Sequence, residues 1–306
     1  MSVINTNVSA SLTQNALAKN ERAMSKTMEQ LSTGKRINSA QDDAAGLAIS
    51  SRMTSQINGL NQAVRNANDA ISMIQTADGA LVEITNMLQR MRELAVQSAS
   101  DTNTATDRDY LELEFDQLNA EIDRIADNTQ WNGVNILDQT VGSSGAVTFQ
   151  IGANASQTVS ITFASFINTD GDTLFGKLDF NEDGDVADAT VTVDGSDYDE
   201  TTTSLTDLSV DTRTLANASV LGLDYAISQV NEERATMGAV MNRLEYAADN
   251  LANVSTNAQA SRSRVEDADY ASATTELART QIIAQAATAM LAQANQIPQT
   301  VLSLLK

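Results

Sequence analysis

The chain has 306 residues with no Cys, no His, one Pro and one Trp, and a formal net charge of −21. Thiol nucleophiles, imidazole bases, histidine zinc sites and histidine-containing triads are thereby excluded, and so acidic a chain argues against nucleic acid or a membrane surface as partner, because both select Lys and Arg. The charge is uneven: residues 1–60 hold six bases and four acids, whereas 167–212 hold thirteen acids and one base, Lys177.

In chain order, the opening MSVINTNVSASLTQNALAKN lacks a basic segment followed by an apolar one, so no Sec-type signal is expected. No run of about eighteen apolar residues exists to span a membrane. A 3,4 spacing over Ile57, Leu60, Val64, Ala67, Ile71, Ile74, Leu81 and Leu88, with Asp78 and Thr85 as its polar members, predicts a helix from near Ile57 to about Gln97. At 1.5 Å per residue it would be roughly 60 Å long, which belongs to a rod. Leu111, Phe115, Leu118, Ile122 and Ile125 predict a shorter helix. Val147, Phe149 and Ile151, then GANASQ, then Val159, Ile161 and Phe163 predict a hairpin.

From 167 to 212 the chain is rich in Asp, Thr and Gly, with strand-like pieces such as ATVTV. This stretch is too small for a large core. The helix signal resumes near Thr214 with Leu223, Ile227, Val230, Met237, Met241, Leu244, Ala248 and Leu251, broken at Arg234. It ends with a seam of Ile283, Ala287, Met290, Ala294, Ile297, Val301 and Leu304, beside which Pro298 is expected to kink or break the helix. Two helical arms flanking an insert and sharing one period fold back on each other most simply. The expected fold class is therefore mainly α: a long antiparallel helical bundle or coiled-coil rod formed by both termini, with a β-hairpin and a small β-rich acidic outer insert at its far tip. The expected division is 1–43 with 265–306 as a terminal coiled-coil domain, 44–166 with 213–264 as a helical rod domain, and 167–212 as the insert.

One stretch resembles a metal loop. In DFNEDGDVADAT, residues 179–190, Asp179, Asn181, Asp183 and Asp185 occupy alternating ligand positions around Gly184, as the first half of a calcium loop requires. Its twelfth position is Thr190 where a bidentate Glu is needed, and the DG turns of a solvated insert explain the same letters. No cofactor motif is present: GxGxxG, GxxxxGK[ST] and GxSxG are all missing, and no carboxylate pair is coupled to a nucleophile. The chain reads as a non-enzyme. By pattern alone, Arg90, Arg92 and Glu93 in LQRMRELAVQ form a solvated face with i,i+3 and i,i+4 pairs.

Several segments together resemble the bacterial flagellins. They are INTN at 4–7, STGKRINSAQDDAAGLAIS at 32–50, VRNANDAIS at 64–72, LQRMRELAVQSAS at 88–100 and QWNGVNIL at 130–137. MGAVMNRLEYAADNL at 237–251 and the run from Ser263 to Lys306 continue the likeness, which leaves only the acidic insert uncovered. The resemblance implies a structural protein that polymerises into the flagellar filament, with itself as principal partner. It implies further partners as well: filament cap and hook-associated proteins and a flagellar export chaperone. It also implies an extracellular location reached by type III export without a cleaved signal peptide. In such proteins the terminal arms fold on assembly. Seven seam side chains from Ile283 to Leu304 would contribute on the order of 10 kcal/mol once covered. Arg90, Leu94 and Glu114 match the positions by which a host Toll-like receptor recognises many flagellins, although YLELEF around Glu114 departs from the commoner pattern. The alternative is a hook-filament junction protein, which shares the terminal helices and the export route.

Overall fold

A computed structural model describes residues 7–143, 145–166 and 208–304, with side chains described as far as Gln296. In chain order the elements are α1 (Val8–Thr33), α2 (Ala44–Ser98), α3 (Ala105–Asn128), β1 (Gln130–Trp131), β2 (Val134–Asn135), β3 (Ala146–Gln150), β4 (Thr158–Thr162), α4 (Arg213–Glu266) and α5 (Tyr270–Leu304). The chain divides into two compact units, one of Met1–Asn58 with Val254–Lys306 and one of Gly59–Asn253, so that α2 and α4 each contribute to both. This division falls inside the two long helices rather than at their ends.

In the first unit, α1 begins where the Asn7 side chain accepts from the Ala10 N–H at 3.0 Å. It ends at Gly34, whose φ of 71° is the left-handed cap conformation that glycine adopts without strain. α1 and α5 pack antiparallel: Asn7 donates to the Ala294 carbonyl, Asn20 donates to the Thr280 carbonyl, both at 2.8 Å, and the Tyr270 hydroxyl donates to the Leu31 carbonyl. The seam is made of small and polar residues. Asn20, Thr27, Ala273, Thr280 and Ala294 are its buried members. Polar side chains are tolerated there because each has a backbone acceptor.

The turn from α1 to α2 is fixed by two aspartates. Asp42 accepts from the backbone N–H groups of Asn38 and Ser39 and pairs with Lys26 Nζ at 2.8 Å. The Lys26 hydrogen bond and these amides hold its carboxyl far below the ordinary range. Asp43 caps α2 by accepting from the Gly46 N–H at 2.9 Å, and α2 therefore starts at Ala44 and reaches 55 residues. The expected start near Ile57 is corrected by thirteen residues, because a cap, rather than apolar spacing, sets where a helix begins. The α4–α5 joint meets this turn through a backbone bridge between Lys35 and Asp267 and a Lys35–Glu266 ion pair. α5 keeps its helical backbone through Pro298 to Leu304, so the expected break does not occur.

In the second unit, the 3,4 registers of α2, α3 and α4 converge on one core. Ile74, Leu81, Ile84, Leu88, Met91, Phe115, Ile122, Leu223, Val230, Met237 and Leu244 are fully buried in it. Each large side chain removed from water there contributes about 1.5–3 kcal/mol. The two polar interruptions predicted on separate helices turn out to be partners: Arg234 Nε donates to Asp78 Oδ1 at 2.8 Å, with both side chains about one-third exposed. Arg92 with Asp224 makes a second α2–α4 pair, which shows these helices to be antiparallel. Thr85, the other polar member, is buried and donates to the Leu81 carbonyl of its own helix.

α3 opens with a capping box in which Thr104 and Asp107 exchange hydrogen bonds. The predicted hairpin is β3–β4, antiparallel, with Val147 opposite Ile161 and Phe149 opposite Val159. A smaller hairpin, β1–β2, turns on Asn132 and Gly133, both at positive φ. An Asn-Gly pair between apolar residues is its sequence signal. The candidate calcium ligands Asp179, Asn181, Asp183 and Asp185 lie outside the described residues. Among the described residues, no group of three acidic side chains is placed to hold a metal ion, and no helix is long and apolar enough to cross a membrane.

Candidate functional site

Two surfaces, each on a different unit, carry residues singled out by the sequence. On α5, the helix turns one face to α1 and leaves another uncovered. Ala294 is buried in the α1–α5 seam and Ala287 is half-buried on the same stripe, whereas Ile283 and Met290 are exposed. Ile282 beside them is 66% exposed, and Val8, Leu12 and Met28 on α1 are exposed as well, Leu12 to 71%. Ile297, Val301 and Leu304 belong to residues whose side chains lie outside the description.

The cause is the narrowness of a two-helix contact. Each helix presents a single stripe to its neighbour, at Asn20 and Thr27 on α1 and at Ala273, Thr280 and Ala294 on α5. The Ile, Leu and Met positions off that stripe are left facing solvent. A surface of Ile and Met with no titratable group among them offers one kind of chemistry: burial against another apolar stripe. The expected seam placed seven residues on one line; of its described members Ala294 is buried and Ala287 half-buried, while Ile283 and Met290 are exposed.

On the second unit, Arg90 Nε donates to Glu114 Oε1 at 2.9 Å, joining α2 to α3, and Arg90 Nη1 pairs with Glu93 at 2.9 Å. The predicted i,i+3 pair is thus present, and Arg90 also reaches a carboxylate on another helix. Hydrogen bonds to Glu93 and Glu114 favour the charged guanidinium. Arg90 and Glu114 are about half exposed. Leu94, the third residue of the set, is 1% exposed and belongs to the core. The exposed charged groups of this surface are Arg90, Glu93 and Glu114, with Leu94 supporting α2 from beneath. Tyr110 and Leu113 on α3 and Val96 on α2 are exposed apolar residues that pattern reading passed over. Their signal was present: Tyr110 and Leu113 lie off the Leu111, Phe115, Leu118 register.

Comparison with known proteins places these surfaces in context. Residues 4–141 match the bacterial flagellin N-terminal helical region, and residues 220–305 match the bacterial flagellin C-terminal helical region. The chain is 42% identical over 304 residues to a flagellin of Halalkalibacterium halodurans, covering 99% of this chain and 100% of that one. It is 43% identical over 314 residues to the flagellin of Bacillus subtilis, covering 99% of each. A flagellar filament 33 kDa core protein of Treponema phagedenis is 42% identical over 313 residues, covering 99% of this chain and all of that one. Among solved structures, Bacillus cereus flagellin aligns over 61% of this chain and 88% of its own, at 33% identity and a TM-score of 0.45.

Proposed function

The chain belongs to the bacterial flagellin family and is a structural subunit of the extracellular flagellar filament, and from that premise we propose that the uncovered apolar face of α5 is where neighbouring copies close over it. The observation that carries this reading is the exposure of Ile282, Ile283 and Met290 on a helix whose Ala273, Thr280 and Ala294 stripe is already used by α1. In the sequence, Ile297, Val301 and Leu304 carry the same apolar spacing toward the end of α5. A helix pair of this length holds little core of its own. Contacts from neighbours therefore supply a large share of its stability, and assembly acts as the folding step of the terminal arms. Export proceeds without a cleaved signal peptide and with a flagellar export chaperone, and elongation proceeds beneath a filament cap from hook-associated proteins.

The test is to seed purified monomer with short filament fragments and follow elongation by electron microscopy. Amide exchange of residues 7–40 and 270–304 is measured alongside. Long filaments and protection that rises on assembly are expected. Failure to elongate under any salt condition would assign the chain to the junction instead, and full protection of both segments in the monomer would remove the coupled-folding reading.

We further propose that the Arg90, Glu93 and Glu114 surface is read by a host Toll-like receptor, with Leu94 holding α2 in place behind it. What supports this is the exposure of the inter-helix ion pair beside uncovered apolar residues. Arg90→Ala is expected to lower activation of a receptor reporter by monomer about tenfold, the loss of one or two charged hydrogen bonds. An unchanged response would take Arg90 out of the recognised surface.

A further inference from the structure

Two carboxylates passed over in the sequence sit at the points where the chain enters and leaves the acidic stretch. Glu233 on α4 accepts from the backbone N–H of Ala164, three residues before position 167. Its Oε1 is shielded from solvent and has no hydrogen-bond partner among the described residues. Glu112 on α3 accepts from the Val210 N–H at 2.5 Å, and Ser209 also bonds to its carboxylate. The segments they hold are otherwise well anchored: Phe163, Phe166, Leu208 and Val210 are buried. The Phe166 N–H donates to the Leu137 carbonyl, and the Ser98 hydroxyl donates to the Val210 carbonyl.

Among the described residues, neither carboxylate has a cation to itself. The charged groups acting on Glu112 are Asp211 and Asp116, and that acting on Glu233 is Glu232. Arg108, one turn before Glu112, donates to the carbonyls of Ser98 and Ser100, while Arg213 pairs with Asp101 and Arg234 with Asp78. With these cations engaged elsewhere, the carboxylates beside Glu112 and Glu233 repel their ionised forms, and partial burial removes water from them.

We propose that Glu112 and Glu233 form a proton-responsive clamp on the chain segments 163–166 and 208–211, which tightens as the two carboxyls take up protons. A protonated carboxyl keeps an oxygen to accept the backbone N–H and sheds the repulsion from Asp211, Asp116 and Glu232. In Glu233 protonation also removes the charge from a group one of whose oxygens has no partner among the described residues. Burial pushes both carboxyls upward from the ordinary glutamate range. The sign follows: between the ordinary range and the raised one, the closed clamp binds more protons than an opened one, so opening becomes costlier as pH falls through that window. This is the reverse of Asp42 in the other unit, whose depressed carboxyl stabilises above its ordinary range and loses that contribution on acidification.

The experiment is residue-resolved amide exchange on the full chain between about pH 4.5 and 7.5, corrected for intrinsic exchange rates. Protection of the Ala164 and Val210 amides is expected to rise about twofold or more on acidification. Glu112→Gln keeps the shape and an acceptor oxygen but not the proton site, so it should flatten the response at Val210 and leave that at Ala164. Glu233→Gln should do the converse. Protection that falls on acidification, or a rise that survives in the double variant, would overturn the clamp. Carboxyl titration of the unaltered chain by NMR tests it without any variant: both midpoints should lie above the ordinary glutamate value, and a midpoint at or below it at either residue would overturn that half.

Discussion

Monomer carrying Ile283→Asp together with Met290→Asp is expected to keep the α1–α5 seam and to lose the ability to extend filament seeds. Met290 is 63% and Ile283 40% exposed in the single chain, so the change removes little intramolecular packing at Met290 and only part of a side chain's packing at Ile283. The hydrogen bonds of Asn7 and Asn20 to α5 end on the backbone carbonyls of Ala294 and Thr280, which the substitutions leave in place, and should survive. If a neighbouring copy covers these positions, each side chain lost forfeits about 1.5–3 kcal/mol of burial, and each carboxylate left in an apolar contact adds a desolvation cost. Two such sites lower an association constant by at least about a hundredfold. Met290→Leu, which preserves apolar volume, should elongate normally. Filaments of ordinary length from the double Asp variant would show that the outer face of α5 stays uncovered in the assembly.

The second large effect is expected at the pair formed by the two interruptions of the apolar registers. Arg234→Ala leaves Asp78 about two-thirds covered beside the α2–α4 core without its partner. A cost of about 1–3 kcal/mol follows, discounted from the fully buried case because water reaches part of the pair. The combination Asp78→Leu with Arg234→Leu restores an uninterrupted apolar register on both helices and should recover most of that loss. Urea unfolding of the unaltered chain, Asp78→Leu, Arg234→Leu and the double Leu variant, as a double-mutant cycle, reads the coupling directly. If Arg234→Ala unfolds at the same midpoint as the unaltered chain, the pair contributes nothing beyond solvation of two surface charges.

Much of the architecture was readable from apolar spacing, because a helix that buries one stripe must repeat it every three or four residues. The registers of α2, α3 and α4, the β3–β4 hairpin and its pairing of Val147 and Phe149 with Ile161 and Val159 follow from such local periodicity. What periodicity misjudged were ends and faces. α2 starts at the Asp43 cap rather than at the first large apolar residue. Leu94 lies in the core although its chain neighbour Glu93 is exposed, and Ile283 is exposed although Ala287, four residues on, is half-buried.

The sequence by itself therefore determined that this chain is helical over most of its length, unable to perform histidine or thiol chemistry, and apolar along stripes longer than an ordinary globular helix requires. Its segments also carried the family likeness, residue for residue. Only the tertiary structure decided which side of α5 meets α1, that Asp78 and Arg234 answer each other across 156 positions, and that Glu112 and Glu233 grip the two ends of the acidic stretch. The physical reason is one of range. Periodicity and capping act between residues a few positions apart, whereas the rotation of one helix against another is fixed by contacts between distant residues, and these decide whether a side chain meets water, an opposite charge or a backbone amide.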